Sequence, residues 1–150
     1  MIDLKATLDA INREARDQFP GIEDIETHPG EFTETELRRF HVGRVALRLA
    51  MVNVGEVQVG GTGTRTAQAN MALFVVAADR QDNQRTQAAL AVVSEAIEWL
   101  AHNRFKDDRL LPVDPRTISA ENLYSGELDK TTGIAFWGIR WQQRIKATDA

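Results

Sequence analysis

The chain has 150 residues, no cysteine, a hydrophobic fraction of 43% and a charged fraction of 27%. That length suits one domain able to bury roughly 70% of the surface its unfolded form exposes, and the lack of cysteine excludes disulfides and thiolate metal sites and fits a reducing cytosol. A formal net charge of −4 argues against a general polyphosphate-binding surface, because nucleic-acid affinity rests mainly on Lys and Arg neutralising phosphates.

At the N-terminus, Ile2, Leu4, Leu8, Ile11, Ala15 and Phe19 recur at three- and four-residue steps with polar residues between them. This spacing predicts an amphipathic helix of about four turns, ended by Pro20-Gly21. Acids from the third residue onward make the N-terminus unlike a signal or transit peptide, and no run approaches the ~18 apolar residues of a membrane span. A soluble protein acting where it is made is the expectation. A short strand is predicted over 22–27, a turn at Pro29-Gly30 and a brief helical turn over 33–40.

Over 44–54, Val45, Leu47, Leu49 and Met51 alternate with Arg44, Ala46, Arg48 and Ala50, and Gly43 and Gly55 bracket the run. Alternation predicts a strand. The segment 70–79 is apolar on both faces, as expected of a central strand covered on both sides. Cap candidates at 79–83 then open a second long helix, with Ala89, Val93, Ala96, Ile97 and Leu100 as its stripe. Strands over 116–125 and 131–145 are joined by GELDK as a hairpin, and Trp137, Ile139 and Trp141 share one face of the last. The order α-β-β-β-α-β-β predicts one α+β domain over residues 1–150, with a mainly antiparallel sheet of four to five strands flanked by two long helices.

Several stretches invite a test for chemistry. VQVGGTGTRT, residues 57–66, follows Gly55 and sets Gly55, Gly60 and Thr62 where GxxxxGK[ST] places its glycines and hydroxyl, but Gly61 stands at the lysine position. A P-loop needs that lysine and a following helix N-terminus, whereas this loop leads into an apolar strand. It reads as a connector, long and polar enough to reach a neighbour, in which Gly60, Gly61, Thr62, Gly63, Thr64 and Arg65 are exposed. His28, His41 and His102 are isolated from one another, and HExxH is absent. Glu23, Asp24, Glu26 and His28 lack a second His or carboxylate motif at ligand spacing, so no metal site is expected. The serines carry no GxSxG. Trp137 and Trp141 alternating with Arg140 and Arg144 resemble a stacking platform for single-stranded nucleic acid, against which stands burial of the tryptophans under a helix.

Charge is unevenly placed. Asp17, Glu23, Asp24, Glu26, Glu31, Glu34 and Glu36 fall in a stretch without Lys or Arg, while Arg38, Arg39, Arg44 and Arg48 form one basic cluster and Arg104, Lys106, Arg109 and Arg116 another. Such runs are either solvated faces or complementary patches that meet between copies.

Two blocks, ALFVVAADRQDNQRTQAALAVVSEAIEWL (72–100) and ISAENLYSGELDKTTGIAFWGIRWQQRI (118–145), resemble a family of small tail proteins of Mu-like contractile-tailed phages and prophages. The likeness lies in a strand ending in a polar turn, a long helix, and a hairpin with an aromatic-rich last strand. The N-terminal helix and LRRFHVGRVALRLAMVNVGEV occupy the corresponding places. The resemblance implies a tail terminator, a non-enzymatic virion protein without cofactor or metal. Such proteins form a ring, usually of six copies, that caps the head-proximal end of the tail, stops tube and sheath polymerisation and presents a surface to the neck, while DNA passes through the lumen without specific binding.

On that reading Glu23, Asp24, Glu26, Arg44, Arg48, Arg109 and Arg116 are candidates for the two sides of a ring interface, since a ring joins one patch to a different patch of the next copy. The glycine loop, together with Glu127, Asp129 and Lys130 of the GELDK connection, is the candidate contact with tail or neck. The alternatives are another head–tail joining or tail completion protein, or a small cytoplasmic enzyme or ligand-binding domain.

Overall fold

A computed structural model of the protein describes residues 1–37, 39–40, 44–78, 82–123 and 134–148. Helix α1 spans Leu4–Gln18. The Asp3 side chain caps it by accepting from the Ala6 N–H, and Thr7, buried on its inner face, donates its hydroxyl to the Asp3 carbonyl at 2.8 Å. Strand β1 (Asp24–Thr27), the single turn α2 (Glu34–Leu37), the long strands β2 (Arg44–Val59) and β3 (Arg65–Ala78), helix α3 (Asp82–Leu100), β4 (Ser119–Asn122) and β5 (Ile134–Lys146) follow.

The strands form one five-stranded sheet in the order β1-β2-β3-β5-β4. It is mixed: β1 runs parallel to β2, and every other pair is antiparallel. The α+β reading and the two long helices therefore hold, while the β1 edge departs from antiparallel pairing. A parallel neighbour needs a crossover, and residues 28–43 supply it.

Helices α1 and α3 cover one face of the sheet. Ile11, Ala15 and Phe19 from α1 and Ala89, Val93, Ala96 and Leu100 from α3 pack on Leu47, Leu49, Met71, Leu73, Val75, Ile139, Trp141 and Ile145. On the opposite face a smaller layer of Phe32, Leu37 and Phe40 covers Ala50, Ala72, Phe74, Val76 and Phe136. β3 is thus buried on both sides, as its two-faced apolar sequence predicts.

The boundaries of β2 and β3 differ from expectation. β2 continues to Val59 rather than ending near residue 54, and β3 starts at Arg65 rather than residue 70. Two register shifts, between Met51 and Asn53 and between Val54 and Val57, break the strict alternation that marks a strand in sequence. The start of β3 hides its period in small residues, because the inward positions are Ala67 and Ala69. The expected long connector is consequently a tight turn at the tip of a long hairpin. The strand expected over 116–125 is shorter, a 3-10 turn at Pro115–Thr117 followed by β4, and the GELDK connection lies outside the described residues.

Between α3 and β4 the chain folds back as a plug. Asn103 donates its side-chain N–H to the Trp99 carbonyl at 2.8 Å and accepts from the Phe105 N–H at 2.7 Å. This holds Phe105 at a positive φ of 54°, fully buried and edge-on to Trp99. The chain then runs along the outer edge of β5. Leu111 donates its N–H to the Arg144 carbonyl at 3.1 Å, the Lys146 N–H reaches the Arg109 carbonyl at 2.7 Å, and the Gln142 N–H reaches Thr117 Oγ1 at 3.3 Å.

Leu73, at 0% exposure in the middle of β3, has no room to be replaced by solvent. Leu73→Ala is expected to cost about 2–5 kcal/mol, read as a lower urea midpoint with an unchanged slope.

Candidate interaction surfaces

The parallel β1–β2 pairing sets Glu26 opposite Arg48 and Asp24 opposite Ala46. Arg48 is thereby carried into the acidic segment of its own chain. Its Nη1 donates to Asp24 Oδ1 at 2.7 Å and its Nη2 to Asp24 Oδ2 at 3.1 Å, with Glu26 Oε2 3.9 Å away. The guanidinium also lies over the Phe40 ring, 5.0 Å from its centroid. Arg44 sits 4.0 Å from Glu23, both largely exposed.

The second basic cluster is paired as locally. Arg109 forks onto Asp107 at 2.9 and 2.5 Å, and Arg116 onto Asp114 at 2.8 to 3.2 Å. The Arg109 hydrogen bonds hold the Asp107 carboxyl below the ordinary carboxylate range, and the same contact raises Arg109. Asp24, Arg48, Arg109 and Arg116, expected at a contact between copies, thus each hold an ion-pair partner within the chain. For Arg44 and Arg48 a β-pairing between residues about 20 apart was invisible in the charge pattern, whereas Arg109 and Arg116 pair with carboxylates only two positions away.

His28 does not join Glu23, Asp24 and Glu26 in a cluster. It stacks on Phe32 at 3.9 Å, accepts from the Gly30 N–H through Nδ1 at 2.9 Å and holds Glu36 Oε1 through Nε2 at 2.5 Å. Both ring nitrogens are occupied in fixing the crossover. Among the described residues no three His, Asp or Glu side chains converge as metal ligands.

At the hairpin tip the Gly60 N–H bonds the Thr64 carbonyl at 2.8 Å and the Gly63 N–H the Gly60 carbonyl at 2.9 Å, with Gly63 at φ +81°. Thr62 and Thr64 share a hydroxyl hydrogen bond at 3.0 Å, and Gly61 and Arg65 are exposed. The turn leads into a strand, so it lacks the helix N-terminus that a phosphate cradle needs. Glu127, Asp129 and Lys130 lie outside the described residues.

The tryptophans and arginines of β5 part company. Trp137 and Trp141 join the core under the helices, Trp141 at 1% exposure, while Arg140 and Arg144 stand on the other face, opposite Ala72 and Gln68. Alternation along a strand forces this split, and it removes the stacking platform. Trp99 fills the core margin between Phe19 and Phe105.

An open cleft of about 640 Å³ lies at the start of β1 and β2, bordered by Ile22, Glu23, Asp24, Phe40 and Arg44. Its charged residues are the ion pairs already described. No family model matches the chain, and no curated protein matches it.

Sequence reasoning missed one surface. Among the described residues, β1 and the following His28 N–H, which bonds the Leu49 carbonyl, cover the outer edge of β2 only as far as Leu49. Beyond it, Val52, Val54, Val57 and Val59 are 51%, 38%, 52% and 68% exposed. They are four of the seven large apolar side chains found exposed among the described residues, so the exposure is concentrated rather than scattered. Alternating valines in VNVGEVQV were the available signal, masked by the two bulges.

Two outcomes follow from the ion pairs. Asp24→Asn is expected to cost about 1–2 kcal/mol in urea unfolding, discounted because Asp24 is more than a third exposed, whereas Glu23→Gln, 87% exposed, should leave the midpoint unchanged. Because folding depresses the Asp107 pKa, its contribution is present above the unfolded value of ~3.9 and is lost as pH falls through the folded value. Asp107→Asn should accordingly flatten the acid limb of a stability–pH profile measured from pH 6 downward.

Proposed function

We propose that the protein is a structural assembly subunit, a phage tail terminator that forms a ring, of six copies by the family resemblance, on the head-proximal end of a contractile tail. In this role it stops tube and sheath polymerisation and offers its outer surface to the neck, with DNA passing through the lumen. It acts in the host cytoplasm during assembly and resides in the virion.

The observation that supports this reading best is the distal half of the β2–β3 hairpin. An edge strand carrying four exposed valines is a surface built to be covered, and an assembly subunit has something to cover it. The tip turn at 60–64 then projects as the first element to meet a tube or sheath subunit. Among the described residues no helix is long and apolar enough to cross a membrane, which agrees with assembly in an aqueous compartment.

The test is complementation of a phage lacking the gene, followed by negative-stain microscopy of lysates. Overlong tails without heads, restored to uniform length by the wild-type chain, are expected. Tails of normal length beside filled heads would instead indicate a joining or neck protein, and normal virions would exclude a role in the tail.

A further inference from the structure

The uncovered edge of β2 has a pattern of its own. From 52 to 59 it reads VNVGEVQV, with valine at the first, third, sixth and eighth positions, so the apolar spacing is the same in both directions. The two amides obey the same symmetry, Asn53 matching Gln58, and only the central pair, Gly55 and Glu56, differs in kind. A strand paired antiparallel to its own copy about a two-fold axis sets each position opposite its mirror position. Val52 would face Val59, Val54 would face Val57, and the amide of Asn53 would face that of Gln58. The one charge, Glu56, would face a glycine rather than another side chain.

The bulges make this arrangement possible. Val54 and Val57 are an odd number of residues apart, which on a regular strand points them to opposite faces. Here Val54 is opposite Ala69, Val57 opposite Ala67 and Val59 opposite Arg65. The extra residue between Val54 and Val57 therefore returns all three valines to the face that the helices cover. Bulges are one of the devices that blunt an edge against pairing, but this one carries neither the lysine nor the proline that also serve that end, and it presents four valines.

Length agrees as well. Cover from β1 and His28 ends at Leu49, and the tip turn begins at Gly60, so an eight-residue partner strand fits between the two obstacles. The outer edge of β5 offers no comparable site, since residues 109–117 already bond it.

We infer that the free protein is an isologous dimer in which residues 52–59 of two copies pair antiparallel, joining two five-stranded sheets into one. The inference does not rest on the tail reading; where both hold, the tail and the second copy compete for the same edge, and docking exchanges one for the other.

A chain without cysteine makes the register directly testable. Purified full-length protein is examined by sedimentation velocity, and the variants Val52→Cys, Val59→Cys and the double variant are oxidised and run on non-reducing gels. Positions 52 and 59 lie about 20 Å apart along one strand, too far for an internal disulfide, but opposite each other across the two-fold. A dimer is expected, with covalent dimer from the double variant and from a mixture of the two single variants, and none from either single variant alone. Val57→Asp, at a site already half exposed, should keep its circular dichroism spectrum and weaken dimerisation at least about tenfold in Kd. A monomer at tens of micromolar would overturn the inference, as would a dimer or larger ring that fails to cross-link 52 to 59 or is indifferent to Val57→Asp. Failure of phage complementation would leave these results unaffected, so the two readings are separable.

Discussion

The structure depends on the antiparallel pairing of β2 with β3. β3 supplies the residues buried on both faces, and β2 runs beside it from Arg44 to Val59. Everything else is arranged by where that pair is covered. Helices α1 and α3 take one face, the Phe32–Leu37–Phe40 layer takes part of the other, and β1 takes the outer edge only through Leu49. Past that residue the sheet keeps its backbone pairing to β3, but among the described residues no further strand pairs with its outer side, and the exposed valines begin there.

The same uneven cover explains the electrostatics. β1 brings the acidic segment alongside Arg44 and Arg48, so Asp24 is paired with Arg48 inside the chain and Glu23 lies near Arg44. Arg48, only 13% exposed and resting on Phe40, acts as a clasp holding the crossover against the sheet. A partly buried guanidinium with a bidentate carboxylate is strongly oriented, and the His28–Glu36 contact fixes the other end of the crossover. Polar groups thus position the β1 edge, and apolar groups are left at the distal edge.

What could be read in the sequence followed from local periodicity. Both long helices and the inward face of Trp137 and Trp141 repeat at the period their secondary structure demands, and the doubly covered β3 shows as a continuous apolar run. What could not be read depended on partners distant in sequence. The parallel β1–β2 edge leaves no local mark, and without it the charge runs resembled two free patches. β2 and β3 reach beyond their expected ends because two bulges break the period of one and alanines mute the period of the other, which turned the arm into an apparent loop. The surface of greatest interest was hidden by that irregularity.

Docking at the distal edge requires residues 52–59 to form a stable strand open to a partner. Hydrogen–deuterium exchange of the full chain at low and high protein concentration tests it most directly. Amides of 52–59 should become more protected as concentration rises, while those of 44–49, already covered by β1, stay unchanged. Rapid exchange over 52–59 that is the same at every concentration would contradict the account.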